Sequence, residues 1–201
     1  MESKSLTYDF IKTLYLKNNF PFWTKPFDLN IGGIRTLSKV PNEFNDYIFE
    51  AYNDENGLPH VRVNAATTDP GLYWLAHPMN DKGCAILKKG YYHACWEEGM
   101  HLGKYKALVQ VGPMTVYRDN NRDSNLDIIP GTEDTGLFGI NHHRASEWDT
   151  LPEVGQYSAG CQVTQAPYNF ANELILFDLQ IQNGHGSKFS YALFEEADFA
   201  V

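Results

Sequence analysis

The spacing of apolar residues changes in character near residue 60 of this chain. Before that point, apolar side chains recur every three or four residues over 6–20 and again over 44–52, which predicts two short amphipathic helices. Proline residues end the first pattern, and an Asn-Gly pair followed by proline ends the second. We therefore predict a helical N-terminal extension, residues 1–58, packed on a body formed by residues 59–201.

The body is predicted to consist mainly of strands. Short apolar or alternating runs, many of them next to glycine, proline or Asx residues, occur at 61–63, 90–96, 107–111, 114–117, 138–143 and 190–194. One longer run, 167–182, has the apolar spacing of a helix. Many short strands with long connections are typical of a β-sandwich or barrel. The predicted fold class is therefore mainly β, a sandwich or barrel with a short helical extension and peripheral helices.

Composition and charge narrow the possible partners. The 201 residues include 16 Lys+Arg and 25 Asp+Glu, for a net charge of −9. A nucleic acid is an unfavourable partner, because phosphate backbones bind basic surfaces and the longest basic run here is Lys88-Lys89. No apolar run approaches the roughly 20 residues that span a bilayer. The start, Met1–Ser5, lacks the apolar core of a signal peptide, so we expect synthesis in a cytoplasm.

The three cysteines match neither a disulfide framework nor a zinc motif, because their number is odd and no Cys-x-x-Cys pair occurs. Cys84 and Cys95 are predicted to be small buried hydrophobic residues. Cys161 differs, since it follows Ser158-Ala159-Gly160 in a predicted tight turn. The histidines show no short His-x-x-x-His spacing, so we predict no resident zinc and no other cofactor.

The residues around Cys161 indicate nucleophilic chemistry. A cysteine nucleophile needs a partner that accepts the thiol proton, and histidine is the usual one. His143 lies 18 residues upstream in a predicted strand, whereas its neighbour His142 is expected on the opposite face. A glycine beside the nucleophile allows main-chain N–H groups to point at an oxyanion. The alternative is that Cys161 is a core thiol and His143 a hydrogen-bonded strand residue.

Two segments carry a family resemblance. Gly139-Ile140-Asn141-His142-His143-Arg144, followed by Val154-Gly155-Gln156-Tyr157-Ser158-Ala159-Gly160-Cys161-Gln162-Val163, resembles the catalytic signature of the L,D-transpeptidase domain, in which a histidine precedes Ser-x-Gly-Cys. More closely, the chain resembles a group of uncharacterised phage and prophage proteins. That closer likeness extends from Ile34-Arg35 to the strand with Tyr191, and includes the stretch from His101 to Gln110.

The resemblance implies an L,D-transpeptidase-like body that performs cysteine-dependent acyl transfer on peptidoglycan stem peptides, as a peptidase or a transpeptidase. Cys161 would be the nucleophile and His143 the base, with a backbone carbonyl orienting the imidazole. The Gly160 and Cys161 amides would hold the oxyanion, and Ser158 matches the family's serine. The candidate substrate-binding residues are Asn141, Arg144 and Tyr157.

This sequence departs from the family at three places, one of which is Arg144, since a glycine usually follows the histidine. Ala159 stands where a histidine is usual, and Gln162-Val163 where Ile-Arg is usual. The missing arginine favours hydrolysis over transpeptidation, and Arg144 is the candidate replacement for its charge. The second hypothesis is an inactive virion structural or wall-binding module with the same fold. The expected partners are peptidoglycan and virion or tail proteins, and the expected place of action is the cell wall.

A separate segment, Asp119–Asp127, places oxygen-bearing side chains at alternate positions, which resembles a calcium loop. Ser124 and Pro130 stand where an EF-hand needs glycine and glutamate. The same composition is typical of an Asx-rich hairpin, which is the preferred interpretation. The calcium candidates are Asp119, Asn121 and Asp123.

Overall fold

The computed structural model describes residues 6–38 and 40–199, and this part of the chain is mainly β, which confirms the predicted fold class. The elements are α1 (Tyr8–Lys17), β1 (Asn30–Arg35), β2 (Asp46–Asn53), β3 (Pro59–Thr67), α2 (Leu72–Ala76), β4 (Cys84–Leu87), β5 (Gly90–His101), β6 (Tyr105–Gln110), β7 (Met114–Asp119), β8 (Glu133–Gly136), β9 (His142–Arg144), β10 (Gln162–Thr164), α3 (Pro167–Gln182), β11 (Lys188–Glu195) and a 3₁₀ turn, Glu196–Phe199.

The segment Met1–Ser5, on which the signal-peptide argument rests, lies outside the described residues. Within those residues, no helix has both the length and the apolar character needed to cross a bilayer.

Eight strands close into a barrel in the order β1-β11-β5-β6-β9-β10-β3-β2. Two pairs, β1 with β11 and β9 with β10, are parallel, and the other barrel pairs are antiparallel. The strands β4, β7 and β8 form a separate antiparallel sheet. The β9–β10 pair sets His142 opposite Gln162 and His143 opposite Val163, so the two segments of the cysteine–histidine motif are direct neighbours.

The two faces of the barrel wall are covered by different helices. Along β11, successive side chains alternate between two apolar clusters. Tyr191 and Leu193 pack with Phe177 of α3, whereas Phe194 packs with Tyr15 of α1. Strands covered in this way are apolar on both faces and lose the alternation of a half-exposed strand.

The second predicted helix, 44–52, is wrong, because this segment forms β2. Its residues Ile48, Phe49 and Ala51 are all buried although they lie on both faces of the strand, and this double burial mimics helical spacing. The predicted boundary at residue 58 is also corrected. Strands β2 and β3 lie on either side of it and pair along their whole length, so residues 30–53 belong to the barrel and only α1 remains of the helical extension.

The sequence patterns do not predict β1, because its Gly32-Gly33 pair is typical of a turn. In the barrel these glycines make room for large rings. A Cβ at position 32 would lie 2.2 Å from Phe49 Cζ, and one at position 33 would lie 1.9 Å from Tyr191 Oη. The absence of side chains therefore serves close packing and not a turn.

The remaining predicted elements are largely confirmed. Helices α1 and α3 match the predicted ranges, as do strands β3, β5, β6, β7 and β11. The strand predicted over 138–143 is shorter, and only His142–Arg144 pair as β9. Upstream of it, the Phe138 and Ile140 amides both donate to the side-chain oxygen of Gln110, 2.9 Å away in each case, in place of a strand ladder.

Tyr15→Phe tests the attachment of α1 to the barrel. The Tyr15 hydroxyl donates a buried hydrogen bond to the Ile31 carbonyl at 2.9 Å. Its removal should lower the free energy of unfolding by about 1–2 kcal/mol, because the carbonyl loses its partner in a dry environment. Urea denaturation measures the loss. Tyr168→Phe, which removes an exposed hydroxyl from α3, should change stability by less than about 0.5 kcal/mol, and equal losses in the two variants would contradict this account.

Candidate active site

Cys161 lies at the end of a tight turn that Ser158 holds from within. The fully buried Ser158 hydroxyl donates to the Cys161 carbonyl (2.8 Å) and accepts from the Gly160 amide (3.2 Å). A side chain that bridges two main-chain groups fixes the local backbone. The serine of the motif therefore orders the backbone beside the thiol.

The Gln162 side chain attaches the same turn to the barrel core. Its amide nitrogen donates to the carbonyls of Gly160 (3.3 Å) and Thr68 (3.4 Å), and its oxygen accepts from the Tyr191 hydroxyl (2.7 Å). All three contacts lie in buried surroundings, where lost hydrogen bonds are costly. Gln162 therefore has a structural role on the face opposite the thiol.

Gly160 is required by the backbone, and its role differs from the one expected. It adopts φ +119°, and a Cβ there would lie 2.4 Å from the Ala85 carbonyl oxygen. Its N–H group donates to Ser158 Oγ and is not available to an oxyanion. Among the described hydrogen bonds none uses the Cys161 N–H, so that amide is a main-chain donor at the turn without a partner.

His143 has one ring nitrogen engaged and the other bare. Nδ1 lies 2.8 Å from the Arg144 carbonyl oxygen, and since a carbonyl only accepts, the proton is on Nδ1. The Tyr105 hydroxyl donates to the same carbonyl at 3.2 Å and lies 3.2 Å from Nδ1. Nε2 is buried without a hydrogen-bond partner and carries the lone pair. The imidazole is thus oriented by a backbone carbonyl, with its basic nitrogen free.

A second imidazole lies directly against the first. The rings of His101 and His143 stack with centroids 3.9 Å apart. Burial and the neighbouring His101 lower the pKa of His143 to about 3, against the effect of the Arg144 carbonyl. Burial and Lys104 also lower the pKa of His101. The site therefore presents two neutral imidazoles near neutral pH.

The β9–β10 register brings the Cys161 turn next to His143 in the sheet. His143 pairs with Val163, and Cys161 directly precedes β10, two residues before Val163. Strand alternation continued to Cys161 would put its side chain on the same side of the sheet as that of His143. His142 points to the opposite face, where it stacks on Trp96, as the alternation predicts.

The Cys161 thiol is protonated in this environment. Burial raises its pKa to about 11, although the Asn141 backbone N–H, which points at the sulfur, acts in the opposite direction. Sγ donates to the Gly139 carbonyl at 3.3 Å. Among the residues that the structure describes, Sγ forms no hydrogen bond with the imidazole of His143. The resting pair is consequently a neutral thiol beside a neutral base.

Two clefts flank the Cys161 turn. One, of about 510 Å³, is lined by His143, Tyr105, Arg144 and Tyr157, together with the exposed Trp148. The Arg144 guanidinium lies 4.5 Å above the Tyr105 ring. The other cleft, of about 300 Å³, has lining residues that include Trp74, Cys84, Ala85, Arg118, Phe138 and Ala159. Ala159 lines the smaller cleft and Tyr157 the larger one, so both clefts border the turn that ends at Cys161.

Two of the three candidate substrate-binding residues lie in the larger cleft and the third does not. Arg144 and Tyr157 line the larger cleft. Asn141 does not, because its side-chain oxygen accepts from the Gln110 amide (2.8 Å) and its nitrogen lies 3.1 Å from His101 Nδ1. Asn141 therefore positions the second imidazole.

Tyr105 and His101 are the site residues that the motif reasoning missed. The cysteine–histidine motif lies in 139–163, and neither residue falls within it. One sequence signal could have identified both residues, because they lie in the segment, 101–110, that resembles the phage proteins. Their proximity to His143 depends on the pairing of β5 with β6, in which His101 lies opposite Tyr105.

The calcium candidates form a hydrogen-bonded Asx loop. The Asn121 side chain donates to the Asp123 and Asp127 carboxylates, and the Asp123 carboxylate accepts from the Asn125 amide at 2.8 Å. Asp119 Oδ2 accepts from the Asp127 amide at 3.1 Å. These contacts match the hairpin interpretation, and calcium binding here stays a prediction.

Gly160→Ala tests the turn. The added Cβ meets a main-chain carbonyl in a left-handed backbone, so the variant should lose about 3–5 kcal/mol of unfolding free energy. Gly131→Ala is the matched control, since Gly131 has φ +98° and a Cβ added there would meet nothing within 4 Å. It should lose only about 1–2 kcal/mol, the backbone cost alone. Urea melts decide, and a Gly160→Ala loss no larger than that of Gly131→Ala would contradict the proposed contact.

Alkylation of Cys161 tests its protonation state. With a pKa of about 11, the thiolate fraction grows about tenfold per pH unit, so the iodoacetamide rate should rise about 100-fold from pH 7 to pH 9. Peptide mapping by mass spectrometry separates Cys161 from Cys84, whose pKa burial raises to about 12, and from the buried Cys95. A rate that is already constant between pH 7 and pH 9 would show a preformed thiolate instead.

Comparisons with known proteins add no relative to this picture. A scan against protein-family models, a search of curated proteins and a search of solved structures each found no match to the chain. The resemblance to L,D-transpeptidases therefore rests on the segments 139–144 and 154–163, and the chemistry of the site rests on the geometry of His143, Cys161 and their neighbours.

Proposed function

We propose that the protein is a cysteine-dependent acyl-transfer enzyme that acts on peptidoglycan stem peptides, with an L,D-transpeptidase-like body. The observation that carries this proposal is the state of His143. Its Nδ1 proton is committed to the Arg144 carbonyl, and Nε2 is left as a buried base without a partner. A buried polar atom without a partner is unfavourable and is typical of functional sites.

The chemistry begins from the neutral pair. The Cys161 thiol leaves the Gly139 carbonyl and gives its proton to His143 Nε2 as sulfur attacks the substrate amide carbon. The carbonyl π electrons move to oxygen, and the resulting oxyanion is held by the Cys161 N–H. When the C–N bond breaks, the imidazolium returns its proton to the leaving amine. Water or an amine then attacks the thioester, and the thiol is restored.

The neutral pair constrains the order of these steps. Since the pKa of His143 is about 3, its Nε2 is unprotonated at neutral pH but is a weak base. The pKa of the thiol is about 11, so proton transfer before attack is unfavourable, and the proton has to move as the sulfur–carbon bond forms. The low pKa of the imidazolium also makes it a strong acid toward the leaving amine.

The larger cleft supports a peptide substrate with a free carboxylate. Arg144, Lys104 and Glu147 line it, and although Arg144 lies 3.7 Å from the Glu147 carboxylate, the lining keeps one excess positive charge in a chain of net charge −9. Tyr157 and Trp148 add exposed aromatic surface. Arg144 thus takes the place of the arginine that the family has after its cysteine. We propose hydrolysis as the main outcome, and a protein made in the host cytoplasm that acts at the cell wall, carried by the virion or released at lysis.

The second candidate is an inactive virion structural or wall-binding module. Two observations on the described residues favour it. Cys161 forms no hydrogen bond with the His143 imidazole, and the pKa of the thiol is raised. The same cleft would then bind wall peptides without breaking a bond. Expected partners are peptidoglycan and virion or tail proteins in either case.

Cys161→Ser separates the two candidates. Turnover of purified muropeptides, followed by mass spectrometry, should fall at least ~10³-fold, because the hydroxyl has a far higher pKa than the thiol. His143→Ala should cause a similar loss, and the double variant should lose no more, since the residues act as one unit. His93→Ala, a histidine outside this cleft, is the control and should retain full activity.

The binding measurement completes the comparison. Sedimentation with purified sacculi should give equal binding for the wild type, Cys161→Ser and His93→Ala. Wild-type protein that binds sacculi and releases no product would instead establish the binding module. Product release that persists in Cys161→Ser would overturn the assignment of the nucleophile.

A further inference from the structure

A second cluster of ionisable groups lies on the opposite face of the same strands. Glu50 of β2, His142 of β9 and Glu173 of α3 are each fully buried. One ligand atom from each lies within 4.8 Å of the other two. Among the described residues, this is the only group of three or more such side chains that converge in this way. The proposed acyl-transfer chemistry uses none of the three.

Glu50 is the unexplained member of the cluster. Neither of its carboxylate oxygens has a hydrogen-bond partner, although the side chain is completely buried. Arg62 lies opposite Glu50 in the β2–β3 pair but makes no hydrogen bond to it. An unpaired carboxylate in a dry interior costs several kcal/mol, so such groups are normally paired or bound to a metal. The Glu50 carboxylate lies near His142 and Glu173, whose side chains also carry atoms that can bind a metal ion.

The other two residues are held as metal ligands are held. His142 Nδ1 donates to the Gln162 carbonyl at 3.1 Å, which leaves Nε2 as the ligating nitrogen. Glu173 Oε1 accepts from the Asn64 side chain and from Thr164 Oγ1, the latter at 3.0 Å. Glu173 Oε2 lies 2.8 Å from His142 Nε2. Outer contacts of this kind orient a ligating imidazole and a ligating carboxylate.

We propose that Glu50, His142 and Glu173 bind one divalent first-row cation, for which Zn²⁺ is the best match. One imidazole and two carboxylates are a ligand set that zinc accepts, with bonds of about 2.0–2.2 Å. Such bonds hold ligand atoms roughly 3–4 Å apart, so the three side chains need only small adjustments. Two carboxylates balance the charge of a divalent ion, which removes the cost of burying Glu50 unpaired.

The ion would tie three distant parts of the chain together. Residues 50, 142 and 173 belong to two strands and to the helix that covers them. His142 directly precedes His143, and its partner Gln162 directly follows Cys161. A cation here would brace the β9–β10 pair from behind the catalytic face. Because the site is enclosed, the ion is expected to enter during folding.

Metal analysis of the full chain is the direct test. Protein refolded from guanidinium with Zn²⁺ and then passed through a desalting column should retain about one zinc per chain. Protein refolded with EDTA should contain none and should unfold at a lower temperature, because a ligand bound only to the folded state stabilises it. Refolding with Mn²⁺ in a parallel sample tests the preference for zinc.

Matched variants locate the ion. Glu50→Gln keeps the shape of the side chain and removes the charge, and it should lower zinc retention at least tenfold. His60→Gln is the control, because His60 and Asp54 form a similar His–carboxylate pair at 3.0 Å on the surface, outside the converging cluster. It should retain the full equivalent. Cys161→Ser should also retain it, which excludes binding at the thiol.

Two results would overturn the proposal. One is a wild-type protein that folds with no retained metal and melts at the same temperature with and without Zn²⁺ or Mn²⁺. The other is full zinc retention in Glu50→Gln, or its loss in Cys161→Ser. If Glu50→Gln fails to fold, wild-type protein refolded with Co²⁺ decides the location. Its visible spectrum should lack a thiolate-to-cobalt charge-transfer band, and the presence of that band would assign the metal to a cysteine.

Discussion

The parallel pairing of β9 with β10 is the constraint on which both faces of this region depend. Each strand has only three residues, yet together they bring segments about 20 positions apart into register. Because side chains alternate along a strand, one pairing creates two sites. His143 lines the larger cleft, whereas Gln162 and His142 lie on the core face. A shift of one residue in either strand would exchange these sets.

Side-chain hydrogen bonds contribute more to the register of β9 and β10 than the few main-chain hydrogen bonds between these two strands. Gln162 joins the Cys161 turn to Tyr191 in β11 and to the Thr68 carbonyl after β3. His142 donates through Nδ1 to the Gln162 carbonyl at 3.1 Å. Buried hydrogen bonds of this kind are costly to break singly, so the network makes the position of the reactive groups cooperative.

Desolvation sets the chemistry of the cleft face. The surroundings of His143 and Cys161 disfavour charge on both groups, so the imidazole loses its proton readily and the thiol keeps its own. This differs from the thiolate–imidazolium pair of many cysteine enzymes. In the proposed reaction, the proton transfer that creates the nucleophile would therefore accompany substrate attack and not precede it.

The sequence by itself determined the mainly β class and helices α1 and α3, and it drew attention to Cys161 and an upstream histidine as a candidate pair. These follow from local signals, namely apolar spacing, turn residues and a short motif around Gly160. The tertiary structure alone decided that 44–52 is a strand and that Gly32-Gly33 lies inside one. Burial on both faces of a strand removes alternation, and the reason for a glycine is found on a neighbouring strand. It also decided that the Gly160 N–H is occupied, that His101 stacks on His143, and that Glu50 meets His142 and Glu173. The last two depend on contacts between residues far apart in the chain, which no local pattern encodes, and the first depends on the fold of the Ser158–Cys161 turn.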